Sequence, residues 1–413
     1  MTAATAALDF PFANPSNLHD RVFLPRLAQI RETEPVIFSE QQGGWLLTKH
    51  ADVIAAFSDQ RLSARRLHVA QFHAIPEAER AAVIPNLIKY IPNWIINIDD
   101  DQHQRVRKLV IKAFSRKVVE AMRPAVDRAC DELIAKAIAK GECDFIEEIA
   151  FPLPASVICN LLGVPEQYMD PLRIWARDMT IALASAHPPR ELLLAAENTM
   201  KEMNELFIGE FAKRRQNPGS DLLTALVQAH EDGETLSDEE LLGLCHVLIV
   251  AGHDTTANSL ALGLVALVNH PEQRERYLNN EVDGMQAMSE LLRYVAMAST
   301  QIRITRAPVT YGGKEIPPGQ VVFLMIAAAN RDPLVFENPN ELIFGRPKIE
   351  ASCTFAPGTH HCLGHFLARM ELDTLYRKLF ARAKVEVLSQ DLQFTPNYAF
   401  RGLEALPVRL SPR

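Results

Sequence analysis

The chain has 413 residues, 48% hydrophobic and 23% charged, with a net charge of −8. That length and apolar content support a large core, and the acidic balance gives no footing for nucleic acid. Six cysteines without a C-x-x-C pair argue against a zinc site or a disulfide framework.

With no linker, internal repeat or low-complexity run, the expectation is a flexible arm over 1–16 followed by one large domain over 17–413. The longest apolar stretches stop at His246, His253 or Asp254, short of a membrane span, and no basic-then-apolar leader opens the chain. A cytoplasmic protein without membrane attachment is expected.

In chain order, the first element with chemistry is the helical run beginning Asp99-Asp100-Asp101-Gln102-His103-Gln104-Arg105-Val106-Arg107. His103 and Arg107 fall one turn apart on one face. Arg105, Lys108, Lys112, Arg116 and Lys117 continue it as a basic cluster, for which a solvated face is the ordinary account.

From Ser237 to His270 the pattern is helical, opened by the capping box Ser237-x-x-Glu240 and closed before Pro271. At 1.5 Å per residue it is about 45–50 Å long, enough to cross a domain. Ala251-Gly252-His253-Asp254-Thr255-Thr256 interrupts its middle with small and polar residues. Thr255 could simply bond the Ala251 carbonyl and bend the helix. It could also open a groove in which Asp254 and Thr255 pass protons. His253 could join that relay, but its helical position places it on a different face.

Glu290 and Arg293 lie three residues apart on a helix predicted over 281–294, a spacing that many surface helices share. Near the C-terminus, Phe355-Ala356-Pro357-Gly358-Thr359-His360-His361-Cys362-Leu363-Gly364 sets one thiol in a glycine-bracketed turn before a helix predicted over 363–380. The first amides of that helix would face the sulfur and favour the thiolate, while Gly358 and Gly364 allow close backbone approach. A lone buried Cys is more often an inert small hydrophobe.

The run Phe-x-x-Gly-x-His-x-Cys-x-Gly resembles the haem-binding loop of the cytochrome P450 family, and four further motifs follow that family's order. The resemblance implies a mainly α fold with small β-sheets, binding haem b through Cys362. It implies that Phe355, Gly358, Gly364 and Ala251 border the cofactor and that His103, Arg107, Arg303 and His360 hold its propionates. Asp254 and Thr255 match the distal motif that delivers protons for dioxygen cleavage. Glu290 and Arg293 match a structural Glu-x-x-Arg whose partner is Arg346. Ala356, Met297 and Asp100-Asp101 depart from positions where Gly, Pro and Pro-Pro are frequent. His361, directly before the cysteine, is less usual and is given no role.

The implied activity is insertion of one atom of O2 into an apolar substrate by a monomer. No flavin fingerprint or iron–sulfur cysteine set is present, so electrons should come from a separate ferredoxin and ferredoxin reductase fed by NAD(P)H, docking near the basic cluster. A peroxide-driven peroxygenase of the same fold and a non-catalytic haem sensor or carrier stand as alternatives. Ile88, Trp94, Ile95, Met179, Val247, Val250, Ala298, Ser299 and Phe400 are the expected pocket, within segments of which 62–98 is expected to gate. Small Ala251, Ala298 and Ser299 favour a terpenoid or steroid, whereas Arg65, Arg66 or Lys89 could hold a fatty-acid carboxylate.

Overall fold

The computed structural model describes residues 20–413 except 66–71, 73, 115, 185–187, 232 and 398. The arm expected over 1–16 and Arg66 therefore lie outside the described residues. Labelling only the elements used below, the helices are α1 (Asp20–Thr33), α2 (His50–Ser58), α3 (Pro85–Tyr90), α4 (Asp100–Ala113), α5 (Arg123–Lys140), α6 (Pro152–Leu162), α7 (Met169–Ala184), α8 (Arg190–Gln216), α9 (Asp238–Asn269), α10 (Gly284–Val295) and α11 (His365–Arg382). The strands are β1 (Val36–Ser39), β2 (Gly44–Leu47), β3 (Leu62–Ser63), β4 (Glu142–Asp144), β5 (Gln301–Thr305), β6 (Val321–Leu324), β7 (Ala383–Val387) and β8 (Pro407–Pro412).

Helix α9 organises the molecule. Ser237 accepts from the Glu240 amide while the Glu240 carboxylate accepts from the Ser237 amide, so the predicted capping box forms. Its apolar residues run around the whole circumference, which suits a helix packed on every side. It contacts α6, α7, α8, α10 and α11. Glycine at 263 is one condition of that packing: a Cβ there would lie 2.3 Å from the Tyr376 hydroxyl of α11.

The larger sheet has the order β1-β2-β6-β5-β3, with β6 parallel to β2 and antiparallel to β5. In that register Arg303 pairs with Val322 and turns to the buried side. A second sheet, β7-β8-β4, joins the C-terminus to the end of α5.

Two apolar cores result. The large one surrounds α9. The smaller packs Val36, Leu47, Phe57, Val322, Leu324 and Cys353 between the larger sheet and α2. Among the described residues, no helix is long and apolar enough to cross a membrane.

Candidate active site

The cysteine loop closes on itself. The Cys362 amide donates to the Phe355 carbonyl at 3.0 Å and the His361 amide to the Gly358 carbonyl at 3.1 Å. Gly358 has φ +101°, and a Cβ there would stand 2.8 Å from the Phe57 carbonyl of α2. Ala356 also adopts a left-handed φ of +52°, which explains the frequency of glycine at the equivalent place. Phe355 and Leu363 pack on the large core, whereas Ala356 packs on the small one.

Burial raises the Cys362 thiol, and it is opposed by hydrogen bonds from the Gly364 and His365 amides and by the charges of Arg369 and Arg107. The predicted helix-terminus effect on the sulfur is therefore present, though desolvation outweighs it. Arg369 lies over the Phe355 ring at 4.9 Å and bonds His365, and Arg107 donates to the His361 carbonyl at 2.7 Å.

Above the loop the four expected anion-binding residues come together. The His103 and His360 rings lie against each other, tilted by 42° with centroids 4.1 Å apart. Burial and then the charges of His360 and Arg107 press His103 down to about 4. His360 is lowered chiefly by burial, with Asp99 opposing and Arg303 reinforcing. Asp99 lies 3.7 Å from His360 Nε2 and 2.9 Å from Arg306, and accepts from Ser63 and the Ala64 amide. Burial works to raise Asp99, but those partners together hold it well below the usual carboxylate range.

Asp100 has φ +54°, a conformation closed to proline, and is paired with Arg306 at 2.6 Å.

Ala251 is exposed in the middle of an otherwise packed helix, beside partly open Val250, Asp254 and Thr255. One side of α9 is therefore left uncovered by other protein elements there. The Thr255 hydroxyl donates to the Ala251 carbonyl at 2.6 Å, as the simpler reading of the sequence anticipates. His253 turns away from the open side of α9, as expected: it is buried, with Nε2 3.0 Å from the Phe151 carbonyl, although its Nδ1 still lies 2.7 Å from Asp254 Oδ1.

The structural set is complete. Glu290 and Arg293 are fully buried, Arg293 meets both Glu290 oxygens at 2.7 and 2.9 Å, and Arg346 adds a third contact at 2.9 Å. The remaining guanidinium donors reach the carbonyls of Asn330, Glu337, Asn338, Pro339 and Glu341. These bonds tie down the chain segment that leads to the cysteine loop.

The expected pocket residues differ in exposure. Val250, Ile88 and Phe400 are partly open, and Ile95, Val247 and Ala298 are nearly buried. Trp94, Met179 and Ser299 are placed differently from expectation, sealed at 1%, 0% and 0% exposure. Trp94 packs beside Gly243 of α9, and the Ser299 amide is spent on the Ala399 carbonyl at 3.0 Å. Arg105 also leaves the basic face, pairing with Glu240 and Glu234. Lys89 pairs with Glu239 at 2.8 Å.

Three observations test whether these residues fit a haem. Both His103 ring nitrogens are buried without a hydrogen-bond partner. Arg107 and Arg303 add cationic donors around them, suiting two carboxylates. A Cβ at Gly364 would meet nothing within 4 Å, leaving space beside the thiol. The residues fit the group.

This fold and donor set define a haem-binding oxidoreductase. The Cytochrome P450 family model matches residues 187–400. The chain is 34% identical to cytochrome P450 107B1 of Saccharopolyspora erythraea over 93% of this chain and 94% of that one. It is 35% identical to the monooxygenase PikC of Streptomyces venezuelae, covering 93% and 90% of the two chains. The structure of CYP109Q5 from Chondromyces apiculatus superposes with a TM-score of 0.86 at 27% identity, covering 98% and 99%. CYP109E1 from Bacillus megaterium in complex with testosterone gives 0.80 at 26%, covering 94% and 98%. The chain belongs to the cytochrome P450 family, and its cofactor is haem b.

Proposed function

We propose that this monooxygenase hydroxylates a bulky, largely apolar ring system of the terpenoid or steroid class, with electrons from a separate ferredoxin. In the proposed arrangement Cys362 would hold the haem iron, and His103, Arg107, Arg303 and His360 would hold the propionates. When bound, the haem supplies dioxygen binding and oxygen-atom transfer. The protein's own contribution is to orient the substrate against α9, exclude water, and hold protons at Asp254 and the Thr255 hydroxyl.

What supports the substrate reading is the small side chain of Ala251 in the middle of α9, where a larger one would take space from a bulky substrate. Ala298, bridged to Phe400 in the distal segment, adds a second small residue. Relatives act on comparable molecules: one is a vitamin D(3) 25-hydroxylase and another a 6-deoxyerythronolide B hydroxylase. The ion pair that occupies Lys89 weakens the fatty-acid alternative.

The test begins with the reduced carbon monoxide difference spectrum, where a strongly red-shifted Soret band supports thiolate ligation. Spin-state titration then compares steroids, terpenes, macrolactones and fatty acids. Tight response to fatty acids alone would overturn the ring-system reading.

The ferredoxin reading is supported by exposed Lys108, Lys112, Arg116 and Lys117 near the cysteine loop, with Arg116 lying over Phe366 of α11 at 4.9 Å.

A further inference from the structure

The geometry points to His253 as the proton-holding partner of Asp254: we propose that the two side chains share a proton and that this pair, one residue before Thr255, is the reserve from which the site is supplied. The inference rests on the reading of Asp254 and Thr255 as proton donors, and adds a residue to it.

Hydrogen-bond bookkeeping carries the argument. His253 Nε2 lies 3.0 Å from the Phe151 carbonyl, an atom that can only accept. Nε2 therefore carries a hydrogen. In a neutral ring this leaves Nδ1 as a bare lone pair, yet Nδ1 lies 2.7 Å from Asp254 Oδ1. A lone pair and a carboxylate oxygen do not sit at that separation without a proton between them. The pair thus exists as imidazolium and carboxylate, or as imidazole and carboxylic acid. The other neutral tautomer, with hydrogen on Nδ1, would set a bare Nε2 against the Phe151 carbonyl, two acceptors 3.0 Å apart.

The surroundings fix this arrangement. His253 is 2% exposed, and its ring is flanked by the Phe151 ring with centroids 5.5 Å apart. Phe151 stands where a π-helical turn over Ile146–Ala150 hands over to α6, which opens with Pro152. Such turns offset the carbonyl register of the chain. Asp254 retains some exposure on the open side of α9, with a side chain 13% exposed. The ring is thus sealed on the protein side while the carboxyl reaches the open side.

The transfer balances simply. The proton moves from His253 Nδ1 to Asp254 Oδ1, and the carboxyl passes it on to the Thr255 hydroxyl as that hydroxyl gives its own hydrogen to the acceptor in the site, leaving a carboxylate and a neutral ring with hydrogen on Nε2. A proton from bulk water restores the pair. His253 acts through Asp254 and is a positioning residue, not a catalytic one.

The test uses the haem-loaded protein with 15N-labelled histidine and 13C-labelled aspartate, reduced and saturated with carbon monoxide to make it diamagnetic. His253→Phe and Asp254→Asn assign the signals. The expected spectrum shows hydrogen on Nε2 together with a second proton shared by Nδ1 and the carboxyl. A neutral ring beside an ionised Asp254 overturns the proposal, whatever the enzyme's activity. In turnover, His253→Phe should keep its haem and carbon monoxide spectrum while several-fold less reductant reaches product and peroxide rises. His253→Asn, which can still donate toward Asp254, should recover part of the coupling. Unchanged coupling in His253→Phe also overturns it. Should Asp254→Asn couple normally while the shared proton is observed, the proton-delivery reading fails and the shared pair stands.

Discussion

The Tyr376 hydroxyl occupies the space where Gly263 would carry a Cβ, and it donates to the Leu260 carbonyl of the same helix at 2.8 Å. The helix that bears Asp254 and Thr255 is thereby docked directly to the helix that begins just after Cys362. Gly263→Ala forces the two apart and should cost about 1–3 kcal/mol, the usual range for overpacking. Urea denaturation would measure it. Combining it with Tyr376→Phe should recover part of the loss, and equal instability of the single and double variants would contradict the steric account.

Glu371 of α11 is 3% exposed and one of its carboxyl oxygens has no hydrogen-bond partner. Burial lifts its pKa to about 8. The folded protein then holds a proton that the unfolded chain releases above its ordinary pKa of 4.5. Stability should be fullest below pH 4.5 as far as this group is concerned, and fall as pH rises toward 8. Glu371→Gln should flatten that slope in melting temperature against pH. A slope unchanged by the substitution would place the titration elsewhere.

Removing Glu290 leaves Arg293 and Arg346 buried without their counter-charge. Glu290→Ala should cost about 3–5 kcal/mol and reduce haem content in purified protein. Retention of full haem content and melting temperature would show that the backbone carbonyls alone satisfy both guanidinium groups.

At Ala356 the opposite effect is expected. Its φ of +52° is strained for a residue with a Cβ, so Ala356→Gly should stabilise by about 1 kcal/mol or shift melting upward by a few degrees. A lower melting temperature would mean that the packing of Ala356 on the small core outweighs the strain.

Thr255→Ala should leave haem and substrate binding intact while diverting reductant from product to peroxide or water. On the other face, Lys117→Glu should raise the KM for an acidic ferredoxin several-fold with little change in kcat. Arg105→Glu should have less effect on ferredoxin affinity because Arg105 is already paired.

Much of this was legible in local sequence. The cysteine loop, the capping box of α9 and the Glu290-Arg293 pair depend on short spacings, whereas Arg346, 56 residues from Glu290, was expected only from the family resemblance. What escaped depends on distant partners. The fate of Arg105 depended on Glu234 and Glu240, more than a hundred residues away. Trp94 and Met179 read equally well as pocket or core, because an apolar stripe does not say what covers it. The contact of His253 with Asp254 was not legible because consecutive helical residues leave the axis about 100° apart. The wheel follows Cβ directions, whereas ring and carboxyl meet beyond them, and the Phe151 carbonyl that orients the ring lies 102 residues upstream.

The cysteine loop crosses the border between the two cores, with Phe355 on one side and Ala356 on the other. Neither core alone can hold the cofactor's ligand in place. On heating, loosening of the smaller core would release the haem while the α9-centred bundle keeps its helices. Visible absorbance should therefore fade at a lower temperature than far-ultraviolet circular dichroism, and a melting point from either signal alone would describe a different event.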